Sequence, residues 1–167
     1  GTSADLALVT AHMVRRDVKS ALASVARIEK KQPDQARFAH IRGQIQMQAK
    51  DRAEARKSFG RALELDPTYF PAAMALAALE IADKKPADAR KHFESMLTRD
   101  ARNWRAMLAL ADLHAKEGDR EGKVLPLLQD AVKQNPTVNE PRVALVEYHL
   151  AARRYDMALS AAQEALA

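Results

Sequence analysis

Helical stretches are followed by proline at Pro33, Pro67 and Pro136, and Ala101 takes the same place in Arg99-Asp100-Ala101, so the spacings are 34, 34 and 35 residues. A fixed period of this length constrains the chain more than any other feature. It means that one small supersecondary unit is copied, that no copy buries its apolar face alone, and that neighbouring copies must share a core. Hydrophobic residues make up 47% and charged residues 29% of the 167 residues, which suits folded units, while aromatics reach only 5%. Abundant alanine then favours closely packed helices over a sandwich or barrel of β-branched and aromatic side chains.

Each period carries an alanine, a large apolar residue and a small or apolar residue before its closing position. These are Ala55, Phe59 and Ala62 before Pro67, and Ala89, Phe93 and Met96 before Ala101. Looser copies read Ala21, Val25, Ile28; Val124, Leu128, Ala131; and Ala158, Ala162, Ala165. This is the second-helix pattern of a tetratricopeptide repeat. The first helices place Val9, Gly43, Ala77, Ala111 and Val146 at the slot where two helix backbones approach, and His12, Gln46, Glu80, His114 and His149 where the motif favours tyrosine. The reading is an all-α, right-handed superhelical solenoid of about five helix-turn-helix repeats, with copies at 2–35, 36–69, 70–103, 104–138 and 139–167 in one segment. Leading Gly1 reads as a scar of tag removal, and Leu166-Ala167 stops within a helical pattern, so the segment is expected to come from a longer array.

Asp17, Asp51 and Asp119 are placed to cap second helices, and Pro86 suits a first helical position. The extra residue of the fourth copy falls in Gly118-Asp119-Arg120-Glu121-Gly122, and Pro126 removes a backbone donor soon after. An irregular or kinked helix is expected there. Phe59, Leu63, Leu76, Leu79, Phe93, Leu97, Leu110 and Leu113 are assigned to the core, each contributing about 1.5–3 kcal/mol if fully buried.

The residues argue against catalysis. Cysteine is absent, so neither a thiol nucleophile nor a thiolate metal site is available. No His-Glu-x-x-His, phosphate-binding glycine loop or nucleophile elbow occurs, and Glu140 with Glu147 reads as a solvated face. The histidines are spread over separate repeats and are read as partly buried packing or hydrogen-bonding groups, each lacking the close His or carboxylate partners of a zinc site, so no metal or other cofactor is expected. No apolar run approaches the roughly 20 residues that span a bilayer, and no signal peptide is present, so membrane association would need an anchor outside this segment. A net charge of +5 is modest, and no nucleic-acid partner is expected.

Two surfaces remain as candidates for binding. The turns within the repeats carry Arg15, Arg16, Lys50, Arg52, Lys84, Lys85, Lys116, Arg120, Arg153 and Arg154. Aligned along one solenoid edge, they form an interrupted basic ridge for an anionic polymer or membrane surface, or else they solvate turns and favour helix C-termini. The inner face shows Arg37, His40, Gln44, Met47 and Gln48, then Met74, Ala78 and Ile81, then Arg105, Leu108 and Asp112, with Glu140, Val143 and Glu147 beyond. Such a face suits an extended segment or an amphipathic helix of a protein partner. For Met74, Ala78 and Ile81 the alternative is packing against a neighbouring repeat. The lysine and asparagine pattern that clamps a C-terminal carboxylate is not seen.

Three stretches carry a resemblance, Ala62-Leu63-Glu64-Leu65-Asp66-Pro67-Thr68-Tyr69-Phe70-Pro71-Ala72-Ala73, Lys85-Pro86-Ala87-Asp88-Ala89-Arg90-Lys91-His92-Phe93-Glu94, and Asn135-Pro136 with Pro141-Arg142-Val143-Ala144-Leu145-Val146, of which Asp66 to Pro71 and Pro141 to Val146 are the distinctive parts. They resemble the repeat region of the TPR-repeat lipoprotein of the PEP-CTERM (exosortase-linked) system. The resemblance implies a large bacterial envelope lipoprotein linked to exopolysaccharide production and sorting of PEP-CTERM proteins, located in the periplasm or on the outer membrane facing the periplasm. It implies no catalytic residues. The combined expectation is a protein-binding scaffold, with binding of an anionic exopolysaccharide along the basic edge, or a spacer role in a longer array, as the other readings.

Overall fold

A computed structural model describes residues 2–164, the Thr2 side chain excepted. Gly1, Ala165 and Leu166-Ala167, on which expectations were placed, lie outside the described residues. Among the described residues there are helices and no strand: α1 (Thr2–Val14), α2 (Val18–Lys31), α3 (Ala36–Gln48), α4 (Arg52–Leu65), α5 (Phe70–Ala82), α6 (Pro86–Arg99), α7 (Trp104–Lys116), a π-helical segment (Arg120–Val124), α8 (Leu125–Gln134), α9 (Asn139–Ala151) and α10 (Tyr155–Glu164). The chain is an all-α repeat fold, and it divides into two compact units, Gly1–His92 and Phe93–Ala167.

Every turn inside a repeat has the same chemistry. Helix α3 ends with Lys50 N–H donating to Met47 O (3.0 Å) and Asp51 N–H to Gln46 O (2.9 Å), the paired bonds of a Schellman motif. The same pair recurs after α1, α5, α7 and α9, with His12, Glu80, His114 and His149 supplying the accepting carbonyl. The motif needs a left-handed residue, and Arg16, Lys50, Lys84, Arg153 and Gly118 have φ of 57°, 62°, 59°, 57° and 89°. Asp17 and Asp51 then start the next helix by accepting from Ser20 N and Glu54 N, both at 3.1 Å. Pro86 opens α6 at its first position.

Asp119 departs from this scheme. Its carboxylate caps no backbone donor and lies 3.7 Å from Lys123 Nζ, because the chain after it winds as a π-helix that absorbs the extra residue. Pro126 follows as the second residue of α8, where a missing N–H costs little. Asn103, unremarked in the sequence, caps α7 by accepting from Ala106 N at 3.1 Å.

In the first unit, α2 packs Ala21, Val25 and Ile28 with Val9 of α1 and with Phe38 and Ile45 of α3. One repeat later, Ala55, Phe59 and Ala62 of α4 do the same with Ala39 of α3 and with Ala72, Leu76 and Leu79 of α5. In the second unit Val124 and Leu128 pack with Ala111, Leu145 and Tyr148. Of the assigned core, Leu63 and Leu97 are only half-buried, since each sits at the flank of its helix rather than on the inward row, whereas Phe38 is fully buried.

Gly43 has a specific steric reason. A Cβ there would stand 2.6 Å from Phe59 Cδ1 and 2.9 Å from Cζ, and the Phe59 ring is itself buried. Replacing Gly43 by alanine should lower unfolding free energy by about 1–3 kcal/mol through overpacking, measured by denaturant unfolding. A stability equal to or above that of the parent would show that the ring is free to move aside.

Candidate functional site

The inward rows of the helices decide what remains outside. On α5, residues Ala72, Ala73, Leu76, Ala77 and Leu79 are buried, so Met74, Ala78 and Ile81, spaced by four and three, form a stripe turned to solvent. Met74 is 45% and Ile81 43% exposed, so neither is buried against a neighbouring repeat. Met47 and Ala78 line an open cleft of about 210 Å³ whose other walls include Phe59, Ala75 and Leu79, with Arg52 at its margin.

The other expected inner-face residues of this unit behave differently. His40 is half-buried, with its ring 5.4 Å from Phe59 and 5.6 Å from Tyr69, so it belongs with the packing under the face. Arg37 stacks over Phe38 at 4.4 Å, Gln48 donates to Met13 O at 2.9 Å, and Gln44 is exposed.

In the second unit, Leu108, Asp112 and Glu147 line a cleft of about 380 Å³ together with Arg120, Tyr148 and the buried Val124. The π-helical segment therefore forms part of the wall, and the Tyr148 hydroxyl donates to Arg120 O at 3.1 Å across it. Sequence reasoning placed an irregular helix here without connecting it to the inner face. Arg105 stacks over Trp104 at 4.5 Å, and Asp112 is bonded to Lys116 Nζ at 2.6 Å. Glu140 and Val143 are exposed on α9 outside the cleft lining.

The basic turn residues also divide. Arg52 bonds Asp83 at 2.7 Å, Lys116 is held by Asp112, and Arg154 is paired with Glu121. Arg15, Arg16, Lys50, Lys84, Lys85, Arg120 and Arg153 are exposed without an ion-pair partner among the described residues. Three of the exposed residues of the first unit, Arg16, Lys50 and Lys84, hold the left-handed backbone itself.

At the tyrosine slot, Gln46 and Glu80 are paired locally. Ser58 Oγ donates to the buried Gln46 Oε1 at 2.6 Å, and Arg56 joins Glu80 and Asp83 of the next hairpin. His12 Nδ1 is 3.6 Å from Asp17 and His114 Nδ1 is 3.5 Å from Glu117, because the helix turn folds these acids back. A single carboxylate does not make a metal site, and among the described residues no group of three or more His, Cys, Asp or Glu could hold a metal. No helix of the described residues is long and apolar enough to cross a membrane.

Hairpins of this period, closed by small residues and stacked through alternating inward rows, define a tetratricopeptide repeat protein. The chain belongs to the Protein kinase G tetratricopeptide repeat family, which it matches over residues 1–162. Comparison with curated proteins returned no match. Among solved structures it is similar to MamA of Desulfovibrio magneticus RS-1 (16% identity, 99% of this chain and 93% of that one, TM-score 0.60). It is also similar to PilF of Pseudomonas aeruginosa (11% identity, 99% and 75%, TM-score 0.66) and to a thermophilic TPR protein of Thermus thermophilus (21% identity, 99% and 90%, TM-score 0.64). At these identities the likeness shows the fold. That fold generally serves as a scaffold for protein–protein interaction and is typically non-catalytic.

Burial holds His40 below its ordinary pKa of 6.5, and likewise His92, where Glu80 opposes the shift, and His149, where Arg154 adds to it. Each gives up its proton more readily in the fold than in the unfolded chain, so around and below 6.5 the unfolded chain binds more protons than the folded one. Their contribution is present in full above 6.5 and is lost as pH falls from there through the depressed folded values. Melting temperature should therefore decline from about pH 7 to about pH 5, and less steeply in His92→Gln. An identical slope in that variant would remove His92 from the account.

Proposed function

We propose that this chain is a non-catalytic scaffold that docks protein partners on the inner face of its hairpins. We further propose that it works in a bacterial envelope system linked to exopolysaccharide production and PEP-CTERM protein sorting, facing the periplasm. The observation that carries the docking reading is the solvent-facing stripe Met74, Ala78 and Ile81 beside the Met47 cleft, apolar surface that the fold itself leaves uncovered. Isolated exposed apolar residues are ordinary, but a continuous stripe bordering a concavity suits the apolar face of a partner helix or an extended segment. The envelope assignment is supported by the resemblance in Asp66-Pro67-Thr68-Tyr69-Phe70-Pro71 and Pro141-Arg142-Val143-Ala144-Leu145-Val146.

A second reading, binding of an anionic exopolysaccharide, is favoured by the basic turns. Arg16, Lys50 and Lys84 occupy a backbone conformation that costs a non-glycine residue about 1–2 kcal/mol, and no carboxylate pairs with them. Recovery of partners from an envelope extract at low and moderate salt separates the two. Docking on the stripe should persist at moderate salt and drop at least roughly tenfold in Met74→Glu/Ile81→Glu, since burying an unpaired carboxylate exceeds 1.4 kcal/mol. Unchanged recovery by that variant would overturn docking on this face. Polysaccharide capture that vanishes with salt and with Lys50→Gln/Lys84→Gln/Lys85→Gln would replace it with the second reading.

A further inference from the structure

The same cleft occurs in both compact units, built from equivalent positions of the repeat. In the first unit it is bounded by Met47, Arg52, Phe59, Ala78 and Leu79. In the second, Ala115, Arg120, Leu128, Glu147 and Tyr148 stand at those positions and line the cleft of about 380 Å³. Alanine for Met47 and leucine for Phe59 remove bulk from its walls, and the first cleft is correspondingly smaller, at about 210 Å³. Of the two, the larger reaches the roughly 300–1,000 Å³ of a pocket that encloses a bound group. Its floor is apolar, with Leu108, Ala111, Val124, Leu128 and Ala144, and the Tyr148 hydroxyl ties the π-helical wall in place by donating to Arg120 O at 3.1 Å.

The charges around the two clefts are settled differently. Arg52 is neutralised inside the first unit by Asp83, at the end of the following helix, at 2.7 Å. The position of Asp83 is held by Ala152 in the second unit, so Arg120 has no acid to meet there. On the α9 wall, Glu147 replaces the neutral Ala78. Asp112, at the same register one repeat earlier, finds its cation one turn along its own helix, at Lys116 (2.6 Å). Glu147 has Ala151 at that place. Arg120 and Glu147 are both exposed, and neither has an ion-pair partner among the described residues.

Unpaired charges cost little while water reaches them, but an occupant that closes the cleft strips that water and has to replace it. A wholly apolar segment would leave two charges covered without partners. We propose, resting on the reading that partners dock on the inner face, that the second unit's cleft recognises a peptide segment carrying an apolar side chain between an acidic and a basic residue. The apolar side chain lies on the Leu108 and Ala144 floor. The acid meets the forked guanidinium of Arg120, and the base meets Glu147. The first unit's cleft, with Arg52 already matched and alanine at position 78, makes no such demand.

Selection from a displayed library of random peptides on the full chain, followed by fluorescence anisotropy of the synthetic peptides obtained, tests this. Peptides with an apolar residue flanked by an acid and a base should be recovered. Arg120→Gln and Glu147→Gln should each weaken their binding at least about tenfold, the loss of one charge-assisted pair. Ala151→Lys/Ala152→Asp gives both charges an internal partner without removing either, and should weaken the same peptides to a similar extent. Arg120→Glu/Glu147→Lys should prefer versions in which the acid and the base are exchanged. Peptides that are lost in Met74→Glu/Ile81→Glu yet indifferent to the second-unit variants, or that need only one of the two charges, would overturn this inference and leave docking on the inner face standing. The absence of any binder sensitive to either set of variants would remove both. The Tyr148 bond is made to the Arg120 carbonyl, so it survives replacement of that side chain, and far-ultraviolet circular dichroism checks that the helices persist.

Discussion

The ring of Phe59 occupies the point at which one hairpin closes and the next begins. Within its own hairpin it lies on the bare backbone of Gly43, and in the same cluster it meets Ala72, Leu76 and Leu79 of the following helix. Its position is possible only because the opposing slot carries no side chain. A ring seated there sets the depth of α4 on α3, and the small Ala55 and Ala62 beside it set how near α5 comes. With α5 held by its 72, 76 and 79 row, Met74, Ala78 and Ile81 have no direction left except outward. The exposed stripe is thus a consequence of the core rather than a separate device.

The turns supply the second constraint. A Schellman pair after each first helix satisfies two C-terminal carbonyls and hands the chain to the next helix. Glycine is the cheapest residue for the left-handed position, yet only Gly118 provides it; elsewhere Arg16, Lys50, Lys84 and Arg153 take that backbone. Their cations lie beyond the negative end of the preceding helix dipole, which offsets part of the cost. Ion pairs such as Arg56 with Glu80 and Asp83 select the neighbour more than they stabilise it, since half-exposed pairs are worth little in free energy while a mismatched charge is costly.

No motif marks a functional site in this chain, and repetition explains why. Each hairpin presents the same surfaces in turn, so recognition depends on which residues vary at equivalent positions. The slot at 12, 46, 80, 114 and 149 shows this: it holds histidine, glutamine or glutamate, and those at 12, 46, 80 and 114 each meet a different local partner. In the proposed docking role, that variation lies in apolar side chains at solvent-facing registers such as Met74 and Ile81.

The period, the alanine and phenylalanine spacing and the Asp-capped turns made the helix order readable from residues alone, because helix length, capping and close approach are local properties that act within a few residues. The irregularity before Pro126 was readable for the same reason. The tertiary structure alone decided that the irregular turn is a π-helix lining the cleft beside Leu108, and that Asp119 does not cap. It alone decided that His40 turns onto Phe59 and Tyr69 and that the turn cations fall into paired and unpaired sets. Those outcomes depend on which side chain from a different hairpin comes within a few ångströms, and sequence spacing fixes the face of a helix without fixing the partner that meets it.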